Sequence, residues 1–287
     1  MPNSSKSVSW EQTILENSVL GQLFDLVAAF DKAGLRPIIC GGLGIYLSLH
    51  GRRKELSSRT TNDIDLMLTN QQVLDSATRK AIAEIITGDL DYGVCKDGRY
   101  FMFEKGQQKL DILTQPVDGV EIDGFRAKLI KSRLHAYVTP EAVFIEEDLR
   151  KISLSELFPD NDGAKGLTVD VPSPTNLLIL KLFAFNDRDS GSRQDDDKAR
   201  AHAFDIYMIV ASANLRDYRE GAEFLVRHGN SDIIQKARSI VKDKFFSADS
   251  AGWLRVLETS SFFPNLNIQQ RRQKLIEAKA RLVRWFS

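Results

Sequence analysis

The chain has 287 residues, enough for one large domain or two modest ones with a sizeable core. Its 39 Lys+Arg balance 39 Asp+Glu, so the formal charge is zero and a bulk electrostatic attraction to nucleic acid is not supported, although a local basic groove stays open. Hydrophobic residues make up 43%, yet no apolar run approaches the ~18 residues of a membrane helix, which excludes a helical membrane protein. The polar stretch Met1 to Trp10 lacks a signal-peptide core, and Cys40 and Cys95, each read inside a strand, form neither a disulfide framework nor a zinc pattern. The expected location is the cytoplasm.

Met1–Ser9 reads as a loose tail. Trp10 to Lys32 carries apolar residues close to helical spacing and stops at Gly34. Arg36 to Cys40 suits a buried strand, and after Gly41-Gly42 a helix runs from Leu43 to His50. Arg52 to Asn62 is a polar connection holding Arg52, Arg53, Lys54 and Arg59, either a solvated loop or a basic rim. A short strand begins at Asn62 and is closed at Thr69-Asn70, and Gln71 to Thr87 forms an amphipathic helix. Tyr92–Lys96 and Arg99–Glu104 flank the hairpin signal Asp97-Gly98, and Gly106-Gln107 turns into a strand over Lys109–Leu113. Asp118-Gly119 and Asp123-Gly124 mark turns; Val143–Ile145, Ile152–Leu157 and Leu167–Val171 read as strands or edge segments.

Pro172-Ser173-Pro174 reads as a boundary, with Ser as an N-cap and Pro in a first helical turn. Strand signals stop there. Helices are expected over Pro174–Asn186, Lys198–Ala211 and about Tyr218–His228, Ile233–Phe246, Gly252–Thr259 and Ile268–Phe286, the last basic and amphipathic. Asp195–Asp197 read as a cap for the second of these. The division is residues 1–171, an α/β domain with an N-terminal helix, and 172–287, a helical domain.

The chemistry centres on Asp63-Ile64-Asp65-Leu66. Side chains alternate along a strand, so Asp63 and Asp65 share one face while Ile64 and Leu66 share the other. Paired carboxylates with an apolar back repel and lose solvation, and a divalent cation relieves both costs. Mg²⁺ favours a few carboxylates together with substrate phosphates, which points to chemistry on a nucleoside triphosphate; an acidic strand end is the bland reading of the same residues. The Gly41-Gly42 pair between strand and helix is either a tight turn or a place where backbone approaches a phosphate at a helix start. Asp111 lies on the opposite side of its strand from Leu110 and Ile112 and becomes a third carboxylate if that strand lies beside the Asp63/Asp65 strand. Lys181 interrupts an apolar helix, either reaching back to the surface or aiming at phosphates.

Gly41-Gly42, a helix, Thr61-x-Asp63-Ile64-Asp65-Leu66 and a later lone strand Asp resemble the nucleotidyltransferase superfamily. Lys181 and the Asp205-Ile206-Tyr207 helix resemble its AbiEii-type branch, the nucleotidyltransferase toxins of abortive-infection and toxin–antitoxin systems. The resemblance spans roughly residues 20–211 and implies an α+β fold, a mixed β-sheet flanked by helices followed by a helical C-terminal domain. It implies Asp63, Asp65 and Asp111 as ligands for two Mg²⁺ ions, with Asp111 also as base. Gly41-Gly42 becomes the phosphate loop, Lys181 a phosphate contact, and Thr61 and Asp205 further nucleotide contacts. It also implies a nucleoside triphosphate as donor, RNA such as the tRNA 3′ end as acceptor, a defence role against phage, and an antitoxin partner. Leu43 stands where many members carry Ser or Thr, and Ala201 and His202 where the branch often has Lys-Asp. Those departures motivate an alternative, a nucleotide- or protein-binding module on the same fold. A small-molecule transferase of the antibiotic-modifying kind is a further alternative.

Overall fold

The structure is a computed structural model that describes residues 10–52, 61–96, 99–123, 126–129, 133–191, 193–260 and 262–287, with the backbone alone for residues 10–18. The expected tail Met1–Ser9, the basic residues Arg53, Lys54 and Arg59, the turn Asp97-Gly98 and Gly124 lie outside the described residues. By internal contacts the chain divides into two units. The first comprises residues up to Leu43, Thr60–Pro140 and Arg150–Val171; the second comprises Gly44–Arg59, Glu141–Leu149 and Pro172–Ser287.

The first unit is built on a mixed sheet. Helix α1 (Trp10–Lys32) precedes β1 (Ile38–Ile39), and α2 begins directly after it (Gly41–Leu49). Then come β2 (Asp63–Leu68), α3 (Asn70–Leu74), α4 (Ser76–Glu84) and a π turn over Ile85–Asp89. Strands β3 (Gly93–Val94), β4 (Met102–Lys105), β5 (Gln108–Thr114), β6 (Ile122–Asp123), β7 (Arg126–Ala127) and β8 (Ala136–Val138) follow. After β9 (Arg150–Ser153) and α5 (Leu154–Leu157), the unit closes with β10 (Thr168–Val171). The strand order is β6-β7-β8-β5-β2-β1-β10-β9, with the β3–β4 hairpin hydrogen-bonded onto β5.

Strand β2 sits inside the sheet because both of its edges are taken, by β1 antiparallel and by β5 parallel. Ile64, Leu66, Leu68, Leu110, Ile112 and Phe103 fill one face, each at most 1% exposed. Burying such side chains contributes about 1.5–3 kcal/mol each, which anchors the opposite, polar face in place. Helix α1 packs on β2 and on the π turn through Leu23, Leu26, Val27 and Phe30.

Several expectations need correction. The single helix over Gln71–Thr87 is two helices and a π turn, because Asp75 accepts the Thr78 N–H at 2.8 Å and starts a new helix. Cys40 and Cys95 sit just outside β1 and β3 rather than within strands. Val143–Ile145 lies in turns after the 3₁₀ turn Pro140–Ala142, with the Ile145 N–H donating to Ala142 O at 2.9 Å. Ile152–Leu157 divides into the end of β9 and α5.

The second unit carries α6 (Pro174–Ser190), α7 (Asp196–Ser212), α8 (Leu215–His228), α9 (Asp232–Lys244), α10 (Ala251–Leu257) and α11 (Ile268–Trp285). Ser173 caps α6 and Pro174 occupies its first turn, while Asp195 caps α7 by accepting the Lys198 N–H at 3.1 Å. Helix α7 is apolar nearly all round, from Ala203 to Ala211, so it is a central helix rather than a surface one. Trp253 and Phe245 pack edge-on, 5.1 Å apart, where a Cβ on Gly252 would lie 2.1 Å from the Phe245 ring. Among the described residues, no helix is long and apolar enough to cross a membrane.

Candidate active site

Asp63 and Asp65 project from the polar face of β2, both half-buried, as the two-residue period requires. The parallel register on β5 pairs Asp63 with Lys109 and Asp65 with Asp111. Residues opposite one another in a ladder share a face, so Asp63, Asp65 and Asp111 all stand on the same side of the sheet. Strand β5 thus lies directly beside β2, the condition on which Asp111 could join the other two carboxylates. On its other edge β5 pairs with β4, and Met102 flanks Asp111 from that side.

The glycine turn is held against this strand. The Cys40 N–H donates to Asp65 O at 2.8 Å, which places Gly41 beside the Asp65 side chain. Gly41 has φ +62°, and a Cβ there would fall 1.6 Å from Asp65 Oδ2. Only glycine admits both the backbone conformation and the carboxylate. Helix α2 starts at Gly41, earlier than the expected Leu43, so its first N–H groups emerge from the turn itself. Such groups favour anions. The Thr61 hydroxyl lies 3.4 Å from both N and O of Asp63 and so braces the start of the strand.

Three oxygen-donor carboxylates on adjacent strands are of the chemical type that suits a hard divalent cation. Among the described residues, no group of three or more His, Cys, Asp and Glu stands gathered closely enough to hold an ion as it is.

In the second unit, Lys181 neither reaches the surface nor stands alone. Its ammonium meets Asp205 Oδ2 at 2.7 Å, and the two side chains are 8% and 5% exposed. The pair joins α6 to α7. Arg52, grouped by sequence with a basic rim, is committed to Asp217 at 2.6 Å, whose carboxylate also accepts the Asn214 N–H at 2.8 Å. Asp196 pairs with Arg255 at 2.8 Å and Asp197 with Arg200, in keeping with a capping role for that acidic run.

The mixed sheet thus sets Asp63 and Asp65 beside a glycine turn, with Asp111 on the next strand. The chain belongs to the family described as the nucleotidyl transferase AbiEii toxin of type IV toxin–antitoxin systems, whose model matches residues 22–277. The protein is thus an enzyme of nucleotidyl transfer, in a family whose activity is tied to nucleoside triphosphates and whose systems include an antitoxin. No curated protein matches the chain. A solution structure of the antibiotic-resistance factor ANT(2'')-Ia is similar at 16% identity, covering 75% of this chain and 99% of that one, with a TM-score of 0.34.

Proposed function

We propose that the protein moves a nucleoside monophosphate from a nucleoside triphosphate to a hydroxyl on an RNA acceptor, the tRNA 3′ end being the acceptor the family resemblance suggests. In this reading it acts in the cytoplasm as a toxin-like or phage-defence protein held in check by an antitoxin, with residues 1–171 as the catalytic domain and 172–287 as the helical one. The observation that carries the reading is the β2–β5 register, which lines up Asp65 with Asp111 next to Gly41.

Asp63, Asp65 and Asp111 are the proposed holders of Mg²⁺, two ions in all, and binding has to draw their carboxylates together. Bound there, the metal neutralises triphosphate charge and makes the acceptor hydroxyl easier to deprotonate. The Gly41-Gly42 turn and the first N–H groups of α2 receive phosphate oxygens. Asp111 takes the proton of the acceptor hydroxyl, whose oxygen forms a bond to the α-phosphorus as the bond to the β-phosphate oxygen breaks and pyrophosphate leaves. Positioning and charge neutralisation dominate, since the chain forms no covalent bond to substrate. Thr61, Lys181 and Asp205 enter as nucleotide contacts through the family resemblance alone.

The test supplies each α-labelled nucleotide with total cellular RNA, and separately with small hydroxylated antibiotics, and follows the label. Label on RNA is expected, together with at least a thousandfold loss in Asp63→Asn and Asp111→Asn at unchanged melting temperature. Label confined to the small molecules overturns the acceptor. Full transfer by Asp63→Asn overturns the carboxylate assignment.

A further inference from the structure

The second unit carries a basic, hollowed surface to which the chemistry at the carboxylates assigns no part. Two adjoining hollows, of about 500 and 580 Å³, open between α8 and α11. Tyr218 and Arg284 wall both of them; Arg281 joins the first, Arg219 and Arg238 the second. Neither lining contains an aspartate or glutamate, although the chain as a whole has as many acids as bases.

The positive charge there is not spent internally. Among the described residues, no carboxylate lies within ion-pair distance of Arg219, Arg281 or Arg284. Arg281 donates to Ala211 O at 2.9 Å and Arg284 lies 5.3 Å over the Tyr218 ring, contacts that orient the guanidinium groups without neutralising them. Tyr218 in turn leans on Trp285, 5.0 Å away. On α11, Lys274, Arg281 and Arg284 follow at i, i+7 and i+10, which keeps them along one flank of the helix. The Tyr218 hydroxyl is buried and has no hydrogen-bond partner among the described residues, so a donor waits there beside the arginines.

Planar guanidinium groups held by an aromatic ring, with no aspartate or glutamate in the lining, suit phosphate oxygens spaced along a chain. We propose that the α8–α11 groove binds the sugar–phosphate backbone of the nucleic-acid acceptor, through residues other than the carboxylates proposed to carry the transfer. This rests on the reading of RNA as acceptor and names the residues that grip it. Contacts to backbone phosphate position a strand without reading its sequence, so the groove serves many RNAs alike.

The experiment uses the full chain, Arg219→Glu/Arg284→Glu and Arg219→Lys/Arg284→Lys, with binding of a fluorescein-labelled single-stranded RNA 20-mer read by anisotropy across a salt series. The reversal is expected to weaken binding at least tenfold. It should also flatten the dependence of log K on log salt by roughly 1.4, at about 0.7 per lost phosphate contact on a single strand. The lysine variant should recover most of the binding, and all three proteins should share one melting temperature and one affinity for labelled nucleoside triphosphate. Unchanged RNA affinity and salt slope in the reversal variant overturns the groove. So does equal competition by a poly-glutamate peptide, which would mark an acidic protein partner instead. Because binding is read without turnover, the two readings fail separately. Groove-dependent binding without label transfer to RNA removes only the acceptor reading. Transfer to RNA by the reversal variant at wild-type affinity removes only the groove.

Discussion

Gly41 and Asp65 constrain each other more tightly than either motif suggests alone. At φ +62° an L side chain costs about 1–2 kcal/mol, and here a methyl group would also sit 1.6 Å from the Asp65 carboxylate oxygen. Gly41→Ala must therefore either distort the turn or push Asp65 off its place. Denaturant unfolding should show a loss of at least 1–2 kcal/mol, and label transfer should fall by more than the lost stability explains, since the displaced carboxylate belongs to the proposed ion site. A variant as active as the parent would show that Asp65 has no need of its present position.

Lys181 and Asp205 tie α6 to α7 in a place where both side chains are almost fully buried. Removing one partner strands the other, so Lys181→Met should cost about 3–5 kcal/mol in chemical denaturation. Lys181→Met/Asp205→Leu should regain most of that loss, because an apolar pair needs no counter-charge. If the double variant is stable yet transfers nothing, the pair is retained for nucleotide handling rather than for folding. The π turn is tied down in another way. The Tyr92 hydroxyl donates to Gln22 Oε1 at 3.1 Å, joining the turn's exit to α1, and its pKa is pushed up to about 12 by burial and by the Asp25 charge. The folded protein thus holds this proton more tightly than the unfolded chain. The resulting stability is complete below about pH 10 and is lost as pH rises through 12. Tyr92→Phe should cost about 1 kcal/mol at neutral pH and should lessen the alkaline fall, as followed by melts from pH 8 to 12.

The two units differ in how they are held together. The first depends on a sheet whose strands come from distant parts of the chain, and the second on helices that pack mainly on α6 and α7. Ligand and metal should act together on the whole chain's stability. At a hundred times the dissociation constant, nucleoside triphosphate with Mg²⁺ should add about 2.7 kcal/mol. A chain of this size should then melt several degrees higher, at roughly 2–4 °C per kcal/mol. EDTA, or Asp63→Asn/Asp65→Asn, should abolish the shift in differential scanning fluorimetry. A shift that survives chelation would mean that nucleotide binds without the proposed ions.

From residue order alone, the period of β2 put Asp63 and Asp65 on one face, and a glycine turn could be seen upstream of them. Caps at Ser173 and Asp195 and the onset of the helical part at Pro174 were legible for the same reason: these are local signals, written within a few residues. Helix α3 ends and α4 begins inside a continuous amphipathic pattern because a cap at Asp75 overrides periodicity. Strands such as β6 and β7, two residues each, are too short to show any period. Residue order named Asp111 as a companion to Asp65 only on the condition that their strands adjoin, and it left Lys181 between the surface and a phosphate. Asp111 is 46 positions from Asp65 and Asp205 is 24 from Lys181, and nothing local fixes a strand register or an interhelical ion pair across such separations. Only the packed sheet and the packed helices decide those pairings, through burial of the apolar residues that lie between the charged ones.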